Sequence, residues 1–195
     1  MANDFFQKIE FNTIKPQKGR LLISEPFLFD TYFKRTVIFL VEHGDDGSVG
    51  FILNKSVNLR LNEVVPDFPK IKAGVFFGGP VTQNSLFYIH TLGKQLPDSK
   101  KVIKDVYWGG DFEQLKLLID TNQVTNEQIR FFAGYSGWSE GQLEEELKEK
   151  SWIVAKTDAE QVMKGTTKEF WNNVLKGMGK KYEIMSNFPE DPTLN

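Results

Sequence analysis

The sequence has no cysteine and only two histidines, His43 and His90, among its 195 residues. Without thiols the chain can form no disulfide bond, no thiolate zinc site and no cysteine nucleophile. Two imidazoles are few for a transition-metal centre. We therefore predict that the protein holds no metal and uses no cofactor.

Long apolar runs are also missing. No hydrophobic stretch approaches the roughly 20 residues that a membrane-spanning helix needs. The first residues, 1–7, carry neither a basic start nor an apolar segment of the kind found in secretory signals. These absences predict a cytoplasmic protein without membrane contact.

The sequence also lacks an excess of positive charge. Twenty-four Lys and Arg residues against 26 Asp and Glu residues give a net charge of −2 at pH 7 and an isoelectric point near 5.8. Domains that bind nucleic acids usually present a basic surface, so this balance disfavours direct binding to DNA. Two lysine groups are expected to be solvated surface: Lys94, Lys100, Lys101 and Lys104, and Lys176, Lys180 and Lys181.

Hydrophobic residues are plentiful, with 17 phenylalanines and a hydrophobic content of 40%, which is enough for one sizeable core. Strand-like runs dominate the first half of the chain, and helical patterns concentrate in the second. This distribution predicts a mixed α+β fold. We divide the chain into an N-terminal arm (1–18), a single domain (19–186) and a tail that we expect to be disordered (187–195).

Local patterns predict several individual elements. The β-rich runs 36–43 and 49–54 flank a glycine-containing loop and predict a hairpin, whereas 102–107 predicts a single strand. Asp111 is expected to cap one helix, and Thr166 with Glu169 is expected to cap another.

The most informative segment is 134–147, which reads Gly-Tyr-Ser-Gly-Trp-Ser-Glu-Gly-Gln-Leu-Glu-Glu-Glu-Leu. It follows a β-branched and aromatic run, 129–133, that is typical of a strand. Gly134 and Gly137 supply backbone freedom, so we expect a sharp turn immediately after that strand.

An acidic helix is predicted to follow this turn. Ser139 and Gln142 have the spacing of a capping box, so the helix should begin at about Glu140. Leu143 and Leu147 should lie on its buried face. The pairs Glu144 with Lys148 and Glu146 with Lys150 are spaced for ion pairs on the exposed face.

This segment resembles the signature of the bacterial AlgH/YqgE family, and other motifs occur in the family's order. They are the segments 19–26, 30–37, 42–43, 50–55, 78–81, 86–90 and 151–152, and Trp171. The resemblance covers about residues 19–179. The sequence departs from the family pattern in two places: Ser139-Glu140 replaces a small residue and proline, and Lys55 stands where arginine is common. The resemblance implies an AlgH-like fold with a strongly bent or partly barrel-like sheet, in a family labelled putative transcriptional regulator and biochemically uncharacterised.

Ser136 is the candidate nucleophile, because its predicted position at a strand-to-helix turn is similar to the nucleophile elbow of hydrolases. The second glycine comes one residue too early for that motif. Only His43 or His90 can serve as the base. The structural alternatives are a serine that hydrogen-bonds within its turn and histidines that end strands.

Three functions therefore remain open. The leading hypothesis is a non-enzymatic module that binds a protein or a small molecule and has an indirect regulatory role. The alternatives are a serine hydrolase that uses Ser136 and a histidine, and a DNA-binding regulator. The acidic helix favours a neutral or cationic group on any ligand nearby. The predicted binding surface comprises Asn54, Gly78, Gly79, Pro80, Gly134, Tyr135, Ser136, Gly137, Trp138, Gly141, Gln142, Glu144 and Glu145.

Overall fold

The computed structural model describes residues 14–189, apart from the side chains of residues 58 and 60. This part of the chain has ten strands and six helices, with a short 3-10 helix at Gly93–Gln95. The strands are β1 (Leu21–Ser24), β2 (Val37–Gly44), β3 (Gly47–Ile52), β4 (Ser56–Arg60), β5 (Gly74–Phe77), β6 (Val81–His90), β7 (Lys100–Ile103), β8 (Val106–Trp108), β9 (Ile129–Trp138) and β10 (Trp152–Ala155). The helices are α1 (Leu61–Val64), α2 (Phe112–Asp120), α3 (Gln142–Lys148), α4 (Ala159–Lys164), α5 (Phe170–Gly177) and α6 (Lys180–Ser186).

The ten strands form one sheet, which confirms the predicted mixed α+β class. Its main path runs β10-β1-β2-β3-β9-β6-β8-β7, and the neighbours along this path are antiparallel. β5 joins β9 in parallel and carries β4 as its own antiparallel neighbour. Because β9 pairs with β3, β5 and β6, it is the central strand of the sheet.

β9 is longer than the sequence predicted. The strand expected at 129–133 continues through both glycines to Trp138, so the predicted sharp turn is wrong. Gly134 has a φ of +70°, a conformation that costs glycine little, and the register with β6 shifts nearby. Beyond this irregularity the strand pairs with β3. Gly134 therefore allows β9 to pair with different strands along its length.

Carboxylate caps begin two of the helices. Asp111 accepts a hydrogen bond from the backbone N–H of Gln114 at 2.9 Å, which confirms the predicted cap of α2. Asp158 does the same for Gln161 in α4, at 2.8 Å. No helix in the range 14–189 is long and apolar enough to cross a membrane.

α3 begins at Gln142, two residues later than predicted, because Gly141 stands before it in a left-handed conformation. Only half of the expected capping box forms: the side-chain oxygen of Gln142 accepts the backbone N–H of Ser139 at 3.0 Å. Leu143 is fully buried, and Leu147 packs against the same apolar cluster, as predicted.

Two other local predictions are corrected. The segment 102–107 is a hairpin rather than one strand, because Asp105 adopts a φ of 62° and turns the chain between β7 and β8. Thr166 and Glu169 do not form a capping box, since α5 begins at Phe170 and no side chain caps it. The segment 166–169 is therefore a loop.

Residues next to both predicted domain boundaries make packing contacts. Ile14, in the predicted arm, packs against the apolar cluster that includes Trp152. Phe188, in the predicted tail, packs against Phe27 with ring centroids 5.5 Å apart, and its carbonyl accepts a hydrogen bond from Arg35. Residues 1–13 and 190–195, which hold the rest of the predicted arm and tail, lie outside the described residues.

Candidate functional site

The two glycine motifs that the sequence singled out lie directly against each other. A Cβ atom added to Gly78 would collide with the carbonyl oxygen of Gly134, and one added to Gly134 would collide with that of Gly79. Gly78 also donates its N–H to the carbonyl of Ala133 at 2.9 Å. All three glycines are buried. Their lack of side chains allows the connection between β5 and β6 to cross β9 in backbone contact.

Ser136 is completely buried, and its hydroxyl donates to the carbonyl of Gly78 at 3.0 Å. Within the described chain neither histidine is hydrogen-bonded to it. Nδ1 of His43 lies 2.8 Å from the hydroxyl of Ser48, and the ring of His90 is hydrogen-bonded to the backbone of Leu92 and Gly109. This geometry does not support a hydrolase based on Ser136, because the hydroxyl has neither a base nor a route to substrate.

His90 is also fully buried, at the end of β6. Its Nδ1 accepts the backbone N–H of Leu92 at 3.2 Å, so Nε2 carries the proton and donates to the carbonyl of Gly109 at 3.0 Å. Burial lowers the pKa of His90. The neutral ring therefore joins β6 to the loop that precedes α2, which is a structural task.

Trp138 is buried, and its indole N–H is hydrogen-bonded to Glu146, so its ring is not exposed for a ligand to stack on. The carboxylate of Glu146 accepts one indole N–H from Trp138 at 2.8 Å and a second from Trp152 at 2.7 Å. The two rings meet edge to face, with centroids 5.9 Å apart. Glu146 was predicted to be an exposed partner of Lys150, whereas it holds α3 against β9 and β10.

The remaining residues of the predicted surface divide into two groups. Tyr135, Gly137 and Trp138 contribute to a shallow groove of about 360 Å³, here called the signature groove. Its other lining residues are Glu42, Asp46, Gly47, Ser48, Val49, Val81 and Ser139. The second group lies exposed at α3: Gly141, Gln142, Glu144 and Glu145. Ligand binding by these residues and by the half-buried Pro80 stays a prediction.

A larger cavity, of about 650 Å³, lies elsewhere, and we call it the cationic cleft. It is lined by Lys34, Arg35, Asn54, Lys55, Ser56, Phe77, Thr166, Thr167 and Lys168. Four of these nine side chains are cationic, and none is a carboxylate. A chain with a net charge of −2 thus concentrates positive charge in one cavity.

Lys55 is the most constrained cation of the cleft. Its ammonium donates to the carbonyls of Tyr32 at 2.8 Å and Thr31 at 3.3 Å, which leaves one of its three N–H groups available. Burial lowers the pKa of Lys55, and the nearby charge of Asp30 opposes that shift. The ammonium is therefore partly dehydrated and fixed in position.

Asn54 shapes the cleft through hydrogen bonds to the backbone. Its side-chain oxygen accepts the N–H of Val37, and its side-chain nitrogen donates to the carbonyl of Arg35, each at 2.9 Å. The guanidinium of Arg35 lies 4.6 Å above the ring of Trp171. Asn54 was predicted as a binding residue, and in the structure it holds the loop that presents Arg35.

Arg130 connects the segments that form two walls of the cleft. It is almost completely buried in β9, and its guanidinium donates to the carbonyls of Leu53 and Val162. Leu53 directly precedes Asn54, while Val162 lies in α4, just before the loop that supplies Lys168. The ring of Phe76 stacks near the guanidinium at 4.4 Å. One core side chain therefore sets the spacing between these walls.

Sequence reasoning missed most of the cationic cleft. It identified Asn54 and commented on Lys55, but it assigned Thr166 to a helix cap and gave no role to Lys34 or Lys168. One signal in the sequence could have indicated part of the cleft. Residues 166–168 are two threonines and a lysine, which stand before the apolar positions of α5 and do not continue their helical spacing. No group of three or more His, Asp or Glu side chains suited to a metal ion occurs among the described residues.

Comparisons with known proteins agree with this architecture. The family described as AlgH-like matches residues 21–183. A UPF0301 protein of Cytophaga hutchinsonii is 46% identical over 179 residues, covering 91% of this chain and 98% of the relative. A UPF0301 protein of Bacteroides thetaiotaomicron is 41% identical over 194 residues, covering 99% and 98%.

Two solved structures share the fold. The crystal structure of a Corynebacterium diphtheriae protein has a TM-score of 0.75 at 22% identity, covering 94% of this chain and 97% of that one. The solution structure of the AlgH protein from Pseudomonas aeruginosa has a TM-score of 0.71 at 25% identity, covering 90% and 98%. With the sequence matches, these likenesses show that the chain belongs to the AlgH-like family.

Proposed function

We propose that this protein is a binding module for a small anionic ligand, which it takes up in the cationic cleft. The observation that carries the proposal is the composition of the lining: four cationic side chains and no carboxylate around about 650 Å³. Cavities of roughly 300–1,000 Å³ are the size that small-molecule sites usually have.

The state of the cations supports an anionic ligand. Lys55 has been partly removed from water and receives only partial compensation from two backbone carbonyls. An anion in the cleft would place a second negative charge, besides that of Asp30, near this partly dehydrated ammonium, an interaction that is stronger there than in bulk water. Ser56 and Thr166 add hydroxyl groups that can donate to the same ligand.

The rigid construction of the cleft supports binding as well. Arg130 fixes the distance between its walls, and Asn54 holds the loop that carries Arg35. A preorganised site loses less conformational entropy when a ligand binds. In this proposal the protein acts by sensing or carrying its ligand, so a regulatory effect is indirect and needs no contact with DNA.

Calorimetric titration at low ionic strength tests the proposal. The probes are inorganic phosphate, pyrophosphate and citrate, with glucose and putrescine as neutral and cationic comparisons. We expect at least one anionic probe to bind, and we expect neither comparison to bind. Low salt is needed because ions screen exposed charges.

Two variants give the control. Lys168→Gln removes a cation from the lining and should weaken anion binding by about tenfold. Lys176→Gln makes the same chemical change on the exposed side of α5, outside the lining, and should leave binding unchanged. The proposal fails if no anion binds to the folded protein, or if both variants weaken binding equally.

A further inference from the structure

We infer that the ligand of the cationic cleft is an organic phosphate that carries a planar ring, a class that includes nucleoside monophosphates. This inference rests on the proposed function, because it assigns a chemical class to the anion bound there. It is drawn from the charge of the lining, its single aromatic ring and the hydrogen bonds already used by its polar groups.

The number and kind of cations favour phosphate over a single carboxylate. Lys34, Arg35 and Lys55 come from segments that Asn54 ties together, and Lys168 comes from the loop before α5. A phosphate monoester carries a charge of about −1.5 to −2 at pH 7 and offers three acceptor oxygens. Arg35 adds the charge of its guanidinium to this wall, while one of its N–H groups already donates to the carbonyl of Phe188. A phosphate monoester therefore places more negative charge beside these cations than a monocarboxylate does.

Phe77 supplies the ring for a planar group. It is the aromatic member of the lining, and the ring of Tyr32 stacks against it with centroids 5.7 Å apart and an angle of 24°. The backbone N–H of Phe77 donates to the carbonyl of Lys55 at 2.8 Å, so the ring and the constrained ammonium are built on adjacent backbone. An aromatic ring held beside cations can stack with a planar ligand while its phosphate meets the charges.

The lining offers little for hydrogen-bond recognition of a particular base. No carboxylate is available to accept from ribose hydroxyls or exocyclic amino groups, and both functional atoms of Asn54 already bond to Val37 and Arg35. The hydroxyl of Thr167 interacts with Glu169. Recognition of the ring by stacking alone predicts similar affinities for adenine and guanine nucleotides.

The test is calorimetric titration of the full-length protein with AMP, GMP, ribose 5-phosphate, adenosine and inorganic pyrophosphate. We expect AMP and GMP to bind with similar affinity and about tenfold more tightly than ribose 5-phosphate, because only the nucleotides can stack. Adenosine lacks the phosphate and should bind more weakly than either nucleotide.

The variant Phe77→Leu should abolish the difference between AMP and ribose 5-phosphate while it preserves binding of ribose 5-phosphate. Preserved binding also shows that the variant is folded. Should Phe77→Leu not fold, Phe77→Met provides a second route, since it also removes the ring from this half-buried position of the lining and should abolish the preference. Phe29→Leu alters an 81% exposed ring outside the lining and serves as the control.

The outcomes separate the two proposals. If AMP and ribose 5-phosphate bind the wild-type protein equally, the inference is overturned and the anion-binding function stands. The inference is also overturned if the nucleotide preference survives in Phe77→Leu, or in Phe77→Met where the former does not fold. If none of the phosphate compounds binds, including pyrophosphate, both proposals are overturned.

Discussion

Replacement of Glu146 by alanine should destabilise this protein strongly, although Glu146 is a charged residue of a short surface helix. The carboxylate accepts hydrogen bonds from two indoles, Trp138 at 2.8 Å and Trp152 at 2.7 Å. Both tryptophans are buried, with 6% and 1% of their surfaces exposed. The variant therefore removes a charged acceptor from both indole N–H groups, at a half-buried position where water replaces the carboxylate only in part.

The magnitude follows from the number and type of the lost bonds. A hydrogen bond to a charged group contributes about 1.5–3 kcal/mol, so the loss of two costs about 3–6 kcal/mol. Because Glu146 is half-buried, we expect the lower part of this range, about 3–4 kcal/mol. In a chain of this length the melting temperature should fall by about 6–16 °C.

Urea unfolding of wild-type and variant proteins provides the assay, with thermal unfolding as a second measurement. Glu146→Gln keeps an oxygen that can accept from the indoles but loses the charge, so its cost should be about half that of Glu146→Ala. Glu145→Ala is the matched control, because Glu145 is exposed and its one ion pair within residues 14–189 is with Lys148, and it should change stability by less than about 0.5 kcal/mol. If Glu146→Ala is as stable as this control, the assigned role of the carboxylate is refuted.

Three further predictions concern buried positions. Gly79→Ala should cost more than about 4 kcal/mol because its Cβ would collide with the β9 backbone, and circular dichroism should show loss of fold, whereas Gly74→Ala, with open space around it, should fold normally. Ser136→Ala should lower the unfolding free energy by about 1 kcal/mol through loss of its bond to Gly78, and unchanged stability in urea unfolding would contradict that role. Because burial lowers the pKa of His90 below its unfolded value of 6.5, its contribution to stability is complete above that pH and declines as the pH falls towards the folded pKa. Urea unfolding at pH 7.5 and 5.5 should show this decline, and His90→Gln should show a smaller one.

Elements with strong local signals could be predicted from the sequence. Asp111 caps α2 because a carboxylate before an amphipathic run satisfies a free helical N–H, an interaction that spans three residues. The hairpin of β2 and β3 was recognisable from its two β-rich runs and the glycine-containing connection between them. In both cases the decisive contacts lie close together in the chain.

The extent of β9 could not be predicted in this way. Glycines at 134 and 137 favour a turn when only neighbouring residues are considered. What keeps 134–138 extended is pairing with β3 and β6, which lie far away in the sequence. Long-range strand pairing thus outweighed the local preference, and it converted a predicted exposed turn with a nucleophile into buried backbone contacts.

The cationic cleft was hidden for a related reason. Lys34, Lys55 and Lys168 are isolated lysines in the sequence, and no motif connects them. The three lysines converge for two reasons. β4 begins just after Asn54 and Lys55 and pairs with β5 in the sheet. The guanidinium of Arg130 donates to both Leu53 and Val162, which holds α4 near the same region. A charged cavity assembled from single residues on separate elements leaves no spacing pattern for sequence analysis to detect.

The central position of β9 also has a consequence for the order of folding. β3, β5 and β6 precede β9 in the chain, yet each of them pairs with β9 in the sheet. β1 likewise pairs with β10, which lies near the other end of the domain. During synthesis the first two-thirds of the chain therefore emerges before the strand on which its sheet is assembled. Sheets built from such distant pairings fold slowly, and their unpaired edges are exposed to aggregation in the meantime. The newly made chain thus depends on its last third to protect strands synthesised much earlier.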